Sequence, residues 1–259
     1  MILPHFPRRT GIHFVGKCSK ATRTGQPGRS SRAARNEGTG WPRGDQACTR
    51  SGEIGMTYAI KPLGCDPARI KGMSERLIIS HYENSYGGAV KRLNLLEEQI
   101  SGLDYETASG FMINGLKREQ LIAMNSMILH ELFFDGLGEE SEPGPALRHA
   151  LARSFGSVRR WRSEFVAMGK ALAGGSGWVL LSWSPRDGKL VNQWAADHAH
   201  TLAGGVPILA LDMYEHSYHV DYGAKAATYV DTFMQAIRWE NATRLFLALG
   251  HDGYTETPG

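Results

Sequence analysis

The chain has 259 residues, of which 42% are hydrophobic and 21% charged, a composition typical of a soluble globular protein with one large or two small domains. Its cysteines, Cys18, Cys48 and Cys65, show no framework spacing, which argues against a disulfide-stabilised fold. No run approaches the roughly 18 apolar residues that a transmembrane helix requires, so we expect no association with a membrane.

Residues 1–55 form a basic tail, with ten Lys/Arg against three Asp/Glu, whereas residues 56–259 hold 19 basic and 23 acidic residues. The tail lacks apolar periodicity, and we predict that it is disordered. Two alternatives stay open. Translation starts at Met56 and the tail is a non-native extension, or this Arg- and Ser-rich segment is a transit peptide. We expect a cytoplasmic protein, or an organellar one in the second case.

The tail's charge is not accompanied by an aromatic or fold motif typical of nucleic-acid binding, so no nucleic-acid partner is expected.

Beyond the tail, apolar residues recur at three- and four-residue spacing over residues 74–100, with Ser74 as a candidate N-cap. Gly87-Gly88 is expected to weaken or kink this helix. A second apolar helix is predicted over residues 119–137, and together the two helices indicate an antiparallel helical hairpin.

The second half of the chain alternates between helices and short strands. The predicted elements are helices at 145–155 and 158–172, strands at 178–183, 189–195 and 207–211, and a closing helix at 229–249. We therefore predict an α+β fold, in which an N-terminal antiparallel helical hairpin precedes a small three-stranded antiparallel sheet surrounded by helices. Residues 56–142 would form the hairpin domain and residues 143–259 an α+β domain.

The stretch from Asp212 to His219 carries the clearest functional signal. Asp212 and His216 lie four residues apart, with Glu215 between them, so that an acid and an imidazole can converge on one ion. A carboxylate oxygen with a neutral imidazole nitrogen suits iron, manganese or zinc. Because the preceding residues 207–211 are apolar, a charged Asp212 is costly to bury unless something pairs with it. The pattern predicts a metal site.

The same stretch resembles the Asp-x-Trp-Glu-His-Ala-Tyr-Tyr signature of the iron/manganese superoxide dismutases. It reads Asp212-x-Tyr214-Glu215-His216-Ser217-Tyr218-His219, and Asp221-Tyr222 and Trp239-Glu240 follow as in that family. The resemblance spans roughly residues 56–250. It implies a two-domain helical and α+β layout that binds one mononuclear Fe or Mn ion per subunit.

The resemblance implies three histidines and one aspartate as metal ligands. His81 matches the first ligand, in a His-Tyr run on the first helix, and His130 matches the second, shortly before Phe133-Phe134. Asp212 and His216 complete the implied set. Taken from the residues alone, His81 is also compatible with a surface histidine, and His130 with a buried histidine of the core.

Other matching positions carry implied roles around the metal. Glu215 would bond the ligand histidine of a partner subunit across a two-fold axis, which implies a homodimer or a dimer of dimers. Trp178, in Gly-Ser-Gly-Trp, would line the metal cavity. The family's Gln that holds the metal-bound solvent is missing, so we assign that role to His198, with His200 as the fallback. This assignment favours iron, with cambialistic use of both metals open.

The sequence departs from the family pattern at several positions. The gateway Tyr is replaced by Ala89, and Ser85 and His219 replace a His and a Tyr that bond across the family dimer. We predict that a Ser85–His219 bond persists there with the roles exchanged. The anion-guiding Arg falls at Ala226, with Lys225 adjacent to it.

The implied activity is that of a superoxide dismutase, an antioxidant oxidoreductase that converts its substrate superoxide to dioxygen and hydrogen peroxide by redox cycling of the metal. The alternative is a metal-binding homologue with little or no dismutase activity. A different metalloenzyme with the same ligands, such as an oxygenase or a hydrolase, also stays open, because Ala89 in place of the Tyr would widen the entrance for a larger substrate.

Overall fold

The structure is a computed structural model that describes residues 57–251. The basic tail, Met56 and the interpretations placed on them lie outside the described residues. Within the described chain, no helix is both long enough and apolar enough to cross a membrane.

The first helical run contains a wider turn where the first candidate ligand lies. It consists of α1 (Glu75–Ser80), a π-helical turn (His81–Tyr86) and α2 (Gly87–Ser101). The Ser74 side chain accepts a hydrogen bond from the backbone N–H of Leu77, so the predicted N-cap is confirmed. Gly87 keeps a right-handed helical φ of −61°, so the irregularity precedes the glycines that were expected to cause it. Such π-helical turns are frequent at functional sites.

The second long helix, α3 (Gly110–Asp135), begins nine residues earlier than the sequence predicts. Its first turns are largely exposed, with Phe111 82% accessible, and they give no apolar periodicity. It runs opposite to α2, because His81 faces His130 near one end and Arg92 faces Glu119 further along. This arrangement places the inward residues of both helices on the two sides of one cavity.

Three strands of the described chain form an antiparallel sheet in the order β2-β1-β3, which confirms the α+β class. They are β1 (Trp178–Ser184), β2 (Lys189–Ala195) and β3 (Val206–Asp212). β1 lies in the centre and is buried along its whole length. Trp178 pairs with Ala195 on one side and with Asp212 on the other. The register therefore brings the start of β1 and the end of β3 to the same sheet edge.

Helices surround the sheet, as predicted, but the closing helix differs. The helices that follow α3 are α4 (Pro145–Phe155), α5 (Val158–Ala171), α6 (His219–Tyr222), α7 (Ala226–Phe233) and α8 (Trp239–Phe246), which continues into a π-helical segment (Leu247–His251). The prediction of one helix over residues 229–249 is wrong. The chain leaves the helix after Phe233, and Ile237 pairs with Leu137 in an isolated β-bridge before α8 begins.

Aromatic pairs join these layers into one core. The buried rings of Phe133 on α3 and Phe233 on α7 stack with centroids 5.9 Å apart. Elsewhere in the core, Trp161 on α5 meets Trp239 on α8 edge-on at 5.1 Å. Rings of this size dominate the apolar area that a core removes from water. The first pair joins α3 to α7 and the second joins α5 to α8.

Candidate metal centre

Four segments of the fold bring the predicted ligand residues together. His81 begins the π-helical turn, His130 lies on α3, Asp212 ends β3, and His216 lies in a 3-10 turn (Glu215–Ser217). One ligand-capable atom from each of the four residues lies within 4.8 Å of the other three. His81, His130 and Asp212 are buried, and His216 is partly exposed. Two residues from each half of the chain thus form a single cluster.

The cluster is centred on one carboxylate oxygen. Oδ2 of Asp212 lies 3.1 Å from Nε2 of His216, 3.2 Å from Nε2 of His81 and 3.6 Å from Nε2 of His130. Nε2 of His130 and Nε2 of His216 are 3.4 Å apart. Two atoms that bind one ion at roughly 2.0–2.2 Å each are separated by about 3–4 Å. These spacings fit a shared metal ion.

Hydrogen bonds at the outer side of the cluster direct the ligand atoms inward. Nδ1 of His130 lies 2.6 Å from the carbonyl oxygen of Ser126, so Nδ1 carries the proton and Nε2 keeps its lone pair. Oδ1 of Asp212 accepts the backbone N–H of Tyr214, which leaves Oδ2 facing the histidines. Neither ring nitrogen of the buried His81 has a well-directed hydrogen bond among the described residues. A buried imidazole left in this state fits a metal ligand.

The environment favours the metal-binding protonation states of His81, His130 and Asp212. At His216 burial alone would lower the pKa, but the charge and hydrogen bond of Asp212 raise it. Burial lowers the pKa of His130 to about 3, against the opposing charge of Asp212. Burial also lowers the pKa of His81. Burial alone would raise the pKa of Asp212, but the charge and hydrogen bond of His216 hold it below its usual range. Neutral imidazoles beside an ionised carboxylate are the forms that coordinate a cation.

His198 lies against this cluster, in the segment after β2. Its Nδ1 accepts a 3.0 Å hydrogen bond from the indole N–H of Trp178. Its ring stacks on Tyr214 at 4.7 Å, and Tyr214 stacks in turn on His216 at 5.3 Å. His200, the alternative, is exposed and stacks on Trp194 instead. The structure therefore brings His198 to the cluster and leaves His200 at the surface.

Comparison with known proteins identifies the family. A family model described as iron/manganese superoxide dismutases, C-terminal domain, matches residues 143–245. A superoxide dismutase [Fe] of Cupriavidus metallidurans is 66% identical over 197 residues, which cover 76% of this chain and all of the relative. The chain belongs to the iron/manganese superoxide dismutase family. The matched segment includes Asp212, His216, Trp178 and His198, whereas His81 and His130 precede it.

Family members named for either metal resemble this chain. A superoxide dismutase [Mn] 1 of Halobacterium salinarum is 33% identical over 193 residues, covering 73% of this chain and 94% of the relative. A superoxide dismutase [Fe] of Aquifex pyrophilus is 30% identical over 188 residues, covering 70% of this chain and 87% of the relative.

The residues assigned to a dimer contact in this family lie at the surface. Glu215 and His219 are exposed, and Ser85 is partly exposed. Within the described chain, the Glu215 carboxylate makes no hydrogen bond or ion pair. These three side chains do not belong to the group of four candidate ligands in their own chain.

A cavity of about 470 Å³ leads to the cluster between α2 and α3. Its wall includes Ala89, at the position matched above to the gateway Tyr, together with Ser126. Sequence reasoning missed Arg92, which also lines the cavity. The available signal was its position three residues after Ala89, which puts both on one helix face.

Proposed function

We propose that this chain is a superoxide dismutase that binds one iron or manganese ion through His81, His130, Asp212 and His216. The observation that carries the proposal is the convergence of three Nε2 atoms within 3.1–3.6 Å of Oδ2 of Asp212. Iron is favoured, because the relative that shares 66% identity is named an iron enzyme, whereas the [Mn] relative of Halobacterium salinarum shares 33%.

A redox metal held there would supply one-electron chemistry: two superoxide ions and two protons give one dioxygen and one hydrogen peroxide. The residues of this chain provide the surroundings. Asp212 contributes the one negative charge of the ligand set, and the buried imidazoles stay neutral. The rings of Phe133 and Phe134 lie 5.0 and 4.9 Å from the ring of His81 and exclude water from that side.

His198 holds the proton on the cavity side. Because the indole of Trp178 can only donate, Nδ1 of His198 is the acceptor, and the hydrogen of the neutral ring resides on Nε2. Asn125 fixes the backbone of the same residue through a 2.6 Å bond to its carbonyl oxygen. His198 thus offers one oriented N–H donor beside the cluster. It would take the role that a Gln has elsewhere in the family, which is to hold the metal-bound solvent. It is the residue proposed to tune the metal.

The assembly proposed for the chain is a homodimer in which Glu215 reaches the partner's ligand histidine. Its exposure and its lack of a bond within its own described chain support this arrangement, as do the exposed position of His219 and the partly exposed position of Ser85. A cytoplasmic location and a boundary between domains after residue 142 are kept as parts of the same proposal.

The proposal is tested by loading the full chain with iron and following the decay of superoxide by stopped-flow absorption. The matched variants are Asp212→Asn, which removes the ligand charge, and Asp231→Asn, which removes an exposed carboxylate paired with Lys170. The wild type and Asp231→Asn should consume superoxide catalytically, and Asp212→Asn should lose both iron and activity. A fully iron-loaded wild type without turnover, or an Asp212→Asn variant that retains both properties, contradicts the proposal.

A further inference from the structure

The cavity between α2 and α3 has small, buried residues along its wall and one cationic side chain at its rim. On the α3 side, Ala123 and Ser126 are buried and lie above His130. On the α2 side, Ala89 is buried, and Arg92 follows one turn further along with 64% of its side chain exposed. Residues three apart on a helix share a face, so Arg92 lies at the rim on the same wall as Ala89. The small side chains of Ala89, Ala123 and Ser126 leave the cavity open between Arg92 and the candidate ligands.

Arg92 carries the charge that the rest of this wall lacks. Apart from imidazoles, it is the only formally charged side chain among the described residues that line the cavity. Ala226, where the family has its anion-guiding Arg, is 2% exposed. Lys225 is exposed beside it, yet neither of the two lines the cavity. Among the residues that line the described cavity, the one permanent positive charge therefore lies on α2.

We propose that Arg92 is the specificity residue that draws small monoanions, superoxide included, into the cavity. The inference rests on the proposed function, which supplies an anionic substrate. A cation at the mouth of a low-dielectric cleft raises the local concentration of anions and their rate of entry. Arg92 touches the entering anion at the rim and does not reach the cluster, so it acts on capture and leaves the chemical step unchanged.

Glu119 sets the strength of this capture. Its carboxylate Oε2 lies 3.7 Å from a guanidinium nitrogen of Arg92, across the gap from α3 to α2. An exposed pair of this kind adds little to stability. Its effect is instead to cancel part of the positive field at the rim. Removing the carboxylate should therefore strengthen anion capture, in the opposite direction to the removal of Arg92.

The test uses the full iron-loaded chain and two readouts measured against ionic strength. The first is the affinity for azide, a small monoanion, followed by the absorption of the iron, and the second is kcat/KM for superoxide. Arg92→Gln should lower both by about three- to tenfold at low salt and flatten their salt dependence, with kcat unchanged. Arg92→Lys should retain most of the wild-type values, and Glu119→Gln should raise both.

Lys91→Gln is the matched control, because Lys91 is an exposed neighbour on α2 that does not line the cavity. It should stay within about twofold of the wild type. Equal losses in Lys91→Gln and Arg92→Gln, or a wild-type azide affinity that does not change with salt, overturn the inference. A wild type that binds azide in this Arg92-dependent manner but does not consume superoxide instead refutes the proposed function and leaves the anion site standing.

Discussion

The indole N–H of Trp178 donates a 3.0 Å hydrogen bond to Nδ1 of His198. Trp178 begins β1 and is fully buried, so this bond ties the segment after β2 to the rigid edge of the sheet. An indole has no acceptor, so the bond also decides which nitrogen of His198 carries the hydrogen. Trp178, a residue of the core, thereby determines that Nε2 of His198 is the N–H donor on the cavity side.

Trp178→Phe keeps an aromatic ring at this place and removes the donor. His198 then has no fixed tautomer, and dismutation per bound iron should fall about 10- to 100-fold, as is usual when a residue that orients a metal site is lost. Nitrogen chemical shifts of His198 in the metal-free chain should show a mixture of tautomers. Trp194→Phe, at an exposed site on β2, is the control and should change neither. Unchanged activity in Trp178→Phe contradicts the role given to His198.

Gly177 controls the approach of β1 to β2 at the same edge. It has a φ of 131°, and a Cβ at this position would collide with the carbonyl oxygen of Ala195. Gly177→Ala should therefore lower the free energy of unfolding by roughly 3 kcal/mol, from strain together with the clash. Gly174 also has a positive φ, of 82°, but a Cβ there would face open space. Gly174→Ala should therefore lower the free energy of unfolding by only about 1 kcal/mol. Denaturant melts of the two variants separate these effects, and equal losses would rule out the clash.

Ala89 leaves room in the cavity where the family has a gateway Tyr. Ala89→Tyr adds a phenol that can donate a proton, whereas Ala89→Phe adds a ring of nearly the same size without it. If proton delivery limits this site, turnover should be several-fold higher in the Tyr variant than in the Phe variant, while metal content stays equal. Steady-state rates and peroxide inhibition measured on both variants decide the matter. Identical turnover in the two would show that the missing hydroxyl is unimportant here.

Glu215 is expected to act between subunits. Glu215→Gln removes a charge-assisted bond to the partner's ligand histidine, and the dissociation constant of the dimer should rise at least tenfold, equivalent to about 1.4 kcal/mol or more. Sedimentation velocity over a dilution series measures it. Glu140→Gln, at another exposed carboxylate, is the control. Dimers that dissociate alike in both variants, or a monomeric wild type, would refute the arrangement.

The bond predicted between Ser85 and His219 across the dimer has its own test. Ser85→Ala should weaken the dimer or lower the activity, because it removes the hydroxyl that His219 is expected to meet. The same sedimentation series and superoxide assay apply. Indifference of both readouts to the substitution would remove the proposed exchange of roles between these positions.

The sequence predicts local features well and tertiary ones poorly. The strands that follow Gly177 and end at Asp212 are signalled by glycines, a turn and apolar runs, and their bounds agree with the structure to within a residue or so. The break between α7 and α8 has no such signal. It depends on a backbone bond from Gly138 to Ala236 and on pairing of Leu137 with Ile237, both distant in sequence.

The candidate site likewise contains residues that the sequence predicts and features that it does not. The four candidate ligands belong to motifs that identify a family, and the fold brings them together as that resemblance implies. Arg92 belongs to no motif, and its place at the cavity rim follows only from how α2 packs on α3. The π-helical turn at His81 is equally hidden, because its residues also suit an ordinary α-helix.

The most direct test loads the metal-free full chain separately with iron and with manganese and measures superoxide dismutation against bound metal. We expect that one ion binds per chain and that activity rises in proportion to bound iron, with manganese giving less. Equal activity with both metals would mean that the site is permissive. Full occupancy by either metal without turnover would contradict the proposed dismutase activity and leave a metal-binding homologue in place of an enzyme.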